Sequence, residues 1–385
     1  MAINRRQFLV QNLMTLASLT AASQSARSSA VRESGLSDIF KHDFALGTAL
    51  SNRTLEGHDS AMLDLVAREF KAITAENAMK WEELHPADRQ WNWDSIDRFV
   101  EFGKANDMLM AGHTLIWHHQ IPDSVFFDRK GRANKRAISK TRLLARMKNH
   151  ISTVVDRYKG AITLWDVVNE AVNYDHWRHS HWHSIIGPEY LDYAFRFTEE
   201  ADPKAQLIYN DFSMTAVAKQ DFIIEKIQAI RKRGVKIDGV GLQCHVLLDS
   251  DAPSIKALET TIIKYAQAGL RVHITELDVD VLPFDNKGSG ADLLINREYS
   301  PERDPYRDGL PLAISSELAN RYAELFRLFV KHKEHIDRVS FWCTSDDESW
   351  KNDWPVKGRK NYPLLFDRDR QAKQAYYALR NIKLD

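Results

Sequence analysis

The chain has 385 residues, 44% of them hydrophobic and 28% charged, enough apolar material for a large core. Its 53 basic and 53 acidic residues cancel, so no net field gathers nucleic acid or anionic lipid, and a neutral substrate would need none. With only Cys244 and Cys343, a disulfide framework and a C-x-x-C metal site are excluded, and both cysteines read as small buried hydrophobes.

The chain opens on "NRRQFLVQNLMTLASLTAASQSARSSA", in which Arg5 and Arg6 precede a modestly apolar stretch and then small residues. This is the layout of an export signal, and it resembles the twin-arginine type, although Asn4 stands where serine or threonine is more usual. Residues 1–30 are expected to be that signal, directing a folded domain over 31–385 to the periplasm or the exterior of a bacterium. No later stretch approaches the ~20 apolar residues of a membrane span, so no membrane association is expected once the signal is removed.

Eight short runs rich in β-formers follow: "FALGTAL" from Phe44, "AITAENAM" from Ala72, "LMAGHTLIW" from Leu109, "AITLWDVVNE" from Ala161, "QLIYNDF" from Gln206, "VGLQCHV" from Val240, "RVHITELDV" from Arg271 and "RVSFWCTSD" from Arg338. Between them lie segments of helical periodicity such as "HDSAMLDLVAREF" from His58, "SIDRFVEFGKAND" from Ser95, "VAKQDFIIEKIQAIRKRG" from Val217 and "SELANRYAELFRLFVKHKEH" from Ser316, with "RQAKQAYYALRNIK" from Arg370 last. Strict strand–helix alternation implies parallel strands with right-handed crossovers, and eight units close a single (β/α)8 TIM barrel of the α/β class. A doubly wound open sheet fits less well, because no glycine-rich phosphate turn follows the first strand.

In such a barrel the catalytic face is the C-terminal end of the strands. Polar residues gather there repeatedly: Glu76, Asn77 and Lys80 after the second strand; His113, Trp117 and Gln120 along and after the third; Asn169 and Glu170 ending the fourth; Asn210 and Asp211 ending the fifth; Gln243 and His245 on the sixth; Glu276 and Asp278 on the seventh; Trp342 and Trp350 at and beyond the eighth. Singly, each reads as a cap or a structural pair; the habit repeated on seven strands describes a cleft of carboxylates, amides, imidazoles and indoles. Indole faces beside amides suit a sugar, whose C–H face packs on aromatics while its hydroxyls need donors and acceptors. Glu170 and Glu276 end apolar strands three steps apart in a ring of eight, which sets them across the mouth from each other. Glycosidic hydrolysis needs such a pair, one acid for the leaving oxygen and one nucleophile or base opposite.

The motifs "TAENAMKW" from Thr74, "GHTLIWHHQIP" from Gly112, "WDVVNEAV" from Trp165, "GVGLQCH" from Gly239, "HITELDV" from His273 and "NYPLLFD" from Asn361 together resemble glycoside hydrolase family 10, the retaining β-1,4-xylanases. The resemblance implies an endo-1,4-β-xylanase that needs no cofactor or metal, takes xylan or xylo-oligosaccharides, and works as a monomer. It implies Glu170 as general acid/base and Glu276 as nucleophile, with His245 contacting the nucleophile and Asp278 holding His245. Asn169 and Gln243 match the amides that grip the sugar beside the cleaved bond; Glu76, Asn77, Lys80, His113, Trp117 and Gln120 match the glycone-side wall, under an aromatic cover of Trp342 and Trp350. The chain departs from the family's usual arginine at Ala111, tryptophan at Ser124 and glycine at Cys343.

Within "DHWRHSHWHSIIG" from Asp175, His179, His181 and His183 alternate like metal ligands on a strand face, but Arg178, Ser180, Trp182 and Gly187 match the family's loop, which favours loop structure or aglycone contacts instead. A preference for short xylo-oligosaccharides within the same family is one alternative, and a non-catalytic carbohydrate-binding barrel another. Loss of either glutamate would have favoured the latter; both are present. A metal-dependent barrel hydrolase would carry an H-x-H pair on the first strand, which "FALGTAL" lacks.

Overall fold

The computed structural model describes residues 34–128, 136–249, 252–283 and 295–382; the expected export signal lies outside them. Eight parallel strands form the barrel: β1 (Ala45–Leu50), β2 (Ala72–Ala75), β3 (Leu109–Ile116), β4 (Leu164–Asn169), β5 (Gln206–Asp211), β6 (Gly239–Leu242), β7 (Arg271–Asp280) and β8 (Ile336–Phe341). Each pairs with its neighbours in chain order, and β8 pairs with both β7 and β1, closing the ring. The expected (β/α)8 barrel is therefore the observed fold.

A longer helix follows each strand: α1 (Ser60–Glu69), α2 (Asp94–Ala105), α3 (Lys140–Tyr158), α4 (Tyr190–Ala201), α5 (Val217–Lys232), α6 (Ile255–Gln267), α7 (Leu312–Lys331) and α8 (Gln374–Asn381). Their starts are chemically marked. Asp59 Oδ1 accepts the Met62 amide at 3.1 Å, and the Ser139 and Ser254 hydroxyls accept the amides of Arg142 and Ala257, each at 3.3 Å, satisfying donors that the first turn leaves free. α3 then buries Leu143, Met147, Ile151, Val154 and Val155 against the sheet, each burial being favourable by about 1.5–3 kcal/mol before ordering costs. Strands covered on both faces read as continuous apolar runs, and all six residues of β4 are buried.

The mouth departs from the regular pattern expected from sequence. The second run ends as strand at Ala75, the eighth at Phe341, and the sixth breaks after Leu242, resuming as His245–Leu247 beside the end of β7, with His245 opposite Asp278. Non-glycine residues with left-handed backbone sit where strands give out: Glu170 (φ 58°), Cys244 (φ 61°) and Cys343 (φ 89°). In an extended strand Asn169 and Glu170 would face opposite ways; the left-handed turn at Glu170 brings both into the cleft.

Candidate active site

Of the residues that the family resemblance assigns a catalytic or sugar-binding role, all but Asp278 line one cleft of about 220 Å³ at the C-terminal mouth of the barrel; Asn210 and Asp211, also noted at strand ends, do not line it. Asp278 lies one step behind it, against His245. Both carboxylates are buried, Glu170 6% and Glu276 5% exposed.

Glu170 projects from the end of β4. Its Oε2 accepts the Trp117 indole N–H at 2.9 Å and its Oε1 accepts the Gln243 amide at 2.9 Å. Burial, reinforced by the negative charge of Asp211 and then of Glu276, pushes its carboxyl up to about 7 against the pull of those two hydrogen bonds. Asp211 is itself fully buried, paired with Lys219 Nζ at 2.7 Å and bonded to the Tyr209 hydroxyl. That hydroxyl also accepts the Ala171 and Val172 amides at 3.0 and 3.1 Å, pinning the turn that holds Glu170.

Glu276 is differently served. Asn210 Nδ2 donates to its Oε1 at 2.7 Å, and His245 Nε2 lies 3.3 Å from its Oε2. Burial disfavours a charged His245, but Asp278 and then Glu276 outweigh it and raise the ring to about 9. His245 Nδ1 and Asp278 Oδ1 are paired at 3.0 Å. Trp350 Nε1 donates to the other Asp278 oxygen at 2.8 Å, and the imidazolium, Lys351 and these bonds hold Asp278 below the usual carboxylate range despite its burial. The two glutamates thus have opposed surroundings: one desolvated beside a second anion, the other beside an amide donor and an imidazolium.

Asn169 links the halves. Its Oδ1 accepts from Asn210 Nδ2 at 3.1 Å and Gln243 Nε2 at 3.3 Å, and its Nδ2 lies 3.4 Å from Glu170 Oε1. The reversed amide would gain the Asn210 carbonyl at 3.2 Å and a 3.3 Å contact with the Trp117 indole, whose N–H already serves Glu170, but would set two amide nitrogens 3.1 Å apart, so the first orientation is preferred. Asn210 in turn accepts the Thr275 hydroxyl at 2.7 Å, and Gly241 lets it pass: a Cβ there would lie 2.2 Å from Asn210 Oδ1.

The remaining wall comes from β2, β3 and the segment after β8. Lys80 Nζ donates to Asn77 Oδ1 at 2.8 Å and sits 4.9 Å above the Trp117 ring. Burial lowers the Lys80 ammonium and raises the Glu76 carboxyl, each partly opposed by the other's charge. His113 is held by Asp166, Nδ1 to Oδ2 at 2.8 Å, and meets Trp342 edge-on at 5.1 Å.

Sequence reasoning noted Asn210 and Asp211 only as polar strand ends and gave no role to Asp166. Cys343, one of the departures, lies buried against Glu76, and both cysteines are free. The histidines after Glu170 do not alternate along a strand: residues 181–186 form a short helix capped by Ser180, and the His181 ring packs 5.0 Å from those of Phe126 and Phe127.

Two buried carboxylates in opposed environments at a barrel mouth, walled by indoles and amides, define a glycoside hydrolase. Residues 35–382 match the profile of Glycosyl hydrolase family 10, and the chain belongs to that family. It is 38% identical to endo-1,4-beta-xylanase A of Xylanibacter ruminicola over 88% of this chain and 90% of that protein, and 38% identical to the endo-1,4-beta-xylanase of Geobacillus stearothermophilus over 90% and 98%. A solved GH10 endoxylanase retrieved from a sugarcane soil metagenome superposes with a TM-score of 0.87 at 47% identity, covering 91% of this chain and all of that one.

Proposed function

We infer that this chain is an endo-1,4-β-xylanase, hydrolysing internal β-1,4-xylosidic bonds of xylan with retention of anomeric configuration. The observation that carries the reading is the opposed wiring of Glu170 and Glu276. Glu276, between the Asn210 amide and the His245 ring, is the nucleophile: its oxygen bonds to the anomeric carbon as the glycosidic C–O bond breaks. Glu170, whose proton is retained up to about pH 7, gives it to the departing oxygen. With the first product gone, the same carboxylate takes a proton from water, which attacks the anomeric carbon and frees Glu276.

The other residues orient the sugar. Asn169 and Gln243 lie beside Glu170 and serve the hydroxyls of the unit being cleaved, while Glu76, Asn77, Lys80, His113 and Gln120, with the Trp117, Trp342 and Trp350 rings, hold the glycone. Following the anomer first released from xylohexaose by NMR should show the β form, with the α form growing in only as mutarotation proceeds. An initial α-anomer would overturn the double displacement.

The first 30 residues act, on this reading, as an export signal, in keeping with a polymeric substrate that does not enter the cell. Among the described residues no helix is long and apolar enough to cross a membrane. Replacing Arg5 and Arg6 by lysine should strand the enzyme in the cytoplasm; undiminished activity outside the inner membrane would sink the twin-arginine assignment.

A further inference from the structure

A positive charge lies buried in the barrel interior, below the cleft. Arg338, the third residue of β8, is fully buried, yet its Nη1 donates to Thr74 Oγ1 on β2 at 3.0 Å and its Nη2 stands 3.9 Å from Asp166 Oδ1 on β4. β8 has β7 and β1 for neighbours, so a side chain that reaches toward β2 and β4 crosses the inside of the ring. β3 leaves room for it: Ala111, in register with Thr74 and two residues before His113, presents a single methyl group.

A guanidinium keeps its charge in almost any setting, so burying one calls for anions to offset the lost hydration. Burial works against the charge of Arg338, and the carboxylates that favour it are Asp166 first and Glu276 second. Each serves one half of the cleft. Asp166 turns its other oxygen to His113 Nδ1 at 2.8 Å and so fixes a ring of the glycone wall, while Glu276 faces Glu170 across the mouth. His273, the register partner of Arg338 on β7, has Asp337 and Arg271 behind it; burial and then the charge of Arg338 push it down to about 3, so it adds no second cation. The other charged groups around Glu276 are Glu170, Lys80 and the His245 imidazolium with Asp278, all at the mouth. Arg338 approaches from the interior.

Resting on the xylanase reading above, we propose that Arg338 is a positioning residue for the reaction: the counter-cation shared by Asp166 and Glu276, which fixes His113 through Asp166 and sets its positive charge beneath the nucleophile. It touches no substrate atom. Its influence on the chemistry runs through the two carboxylates, and it depends on the charge at the end of the side chain rather than on the space the side chain fills.

The test reads kcat/KM against pH for an aryl β-xylobioside, whose leaving group needs no proton from Glu170, in the wild type, Arg338→Met and Arg338→Lys. Methionine and lysine both keep a long unbranched chain, but only lysine keeps the charge. Without the cation a carboxylate holds its proton to higher pH, so the acid limb for Arg338→Met should move up by about one pH unit. Its plateau should fall by up to about a hundredfold as His113 loses its anchor. Arg338→Lys should leave the acid limb where the wild type has it. Coincident acid limbs in the two variants, shifted or not, would make Arg338 a filler of space and overturn the proposal. If the unpaired Asp166 keeps Arg338→Met from folding, the limb is read in the double variant Asp166→Asn with Arg338→Met, where the same upward shift is expected and its absence overturns the proposal equally. Should the wild type leave the xylobioside uncleaved, it is the xylanase reading that fails.

Discussion

Replacing Glu276 by alanine should lower turnover of xylan by ~10⁴-fold or more, the scale of losing a covalent nucleophile, with the fold intact by circular dichroism. The loss is expected to be chemically reversible. Azide fits the space that the carboxylate leaves and can attack the anomeric carbon from that side while Glu170 still protonates the leaving oxygen. An aryl xylobioside with azide should then yield the α-glycosyl azide, with one C–N bond formed for each glycosidic bond broken. A β-configured azide would move the nucleophile role elsewhere, and full activity without azide would remove Glu276 from the chemistry.

Glu170→Gln should separate activity from stability. The amide cannot give a proton, so kcat/KM on xylan should fall by roughly 10²–10⁴, while release of a good aryl leaving group, which needs no proton, suffers far less. Stability should move the other way. Because the folded state keeps the Glu170 proton to about 7 whereas an unperturbed carboxyl loses it near 4.5, rising pH drains stability across that window, by about 3 kcal/mol once above it. The neutral amide escapes this. Relative to wild type, the variant should gain thermal stability near pH 8 and show much less gain near pH 4; a difference independent of pH would mean that Glu170 ionises normally. On the proposed mechanism, the site holds a destabilising group because catalysis needs its proton.

How much of this was legible in sequence depended on whether a residue's role is local. Strand–helix alternation gave the barrel because period and composition are local properties, and the polar strand ends marked the mouth because parallel strands all point one way. The partners of those residues were not legible. Asp211 raises Glu170 from the adjacent strand, and Asn210 reaches Glu276 past Thr275 and Gly241, across a gap that depends on ring order and on a missing Cβ. Nor was the break in β6 visible. "VGLQCHV" reads as one strand, yet the left-handed turn at Cys244 and the re-pairing of His245 with Asp278 set the imidazole beside Glu276. The histidine alternation, set aside in the sequence as a metal site, has no strand beneath it for the converse reason: Ser180 caps a helix there, and helical spacing replaces the alternation.

β7 carries Glu276, Asp278 and Asp280 at alternate positions, all buried, and past a register shift between Ile274 and Leu277 it turns Leu277 and Val279 to the apolar side. Each acid meets waiting partners: Asn210 and His245 for the first, His245 and Trp350 for the second, Arg359 and Asn361 for the third. Slipping this strand by one residue would drive three carboxylates into hydrocarbon and turn the leucine and valine into the polar mouth. The partners waiting for these three acids therefore also specify the register of β7, and with it the place of Glu276 in the mouth.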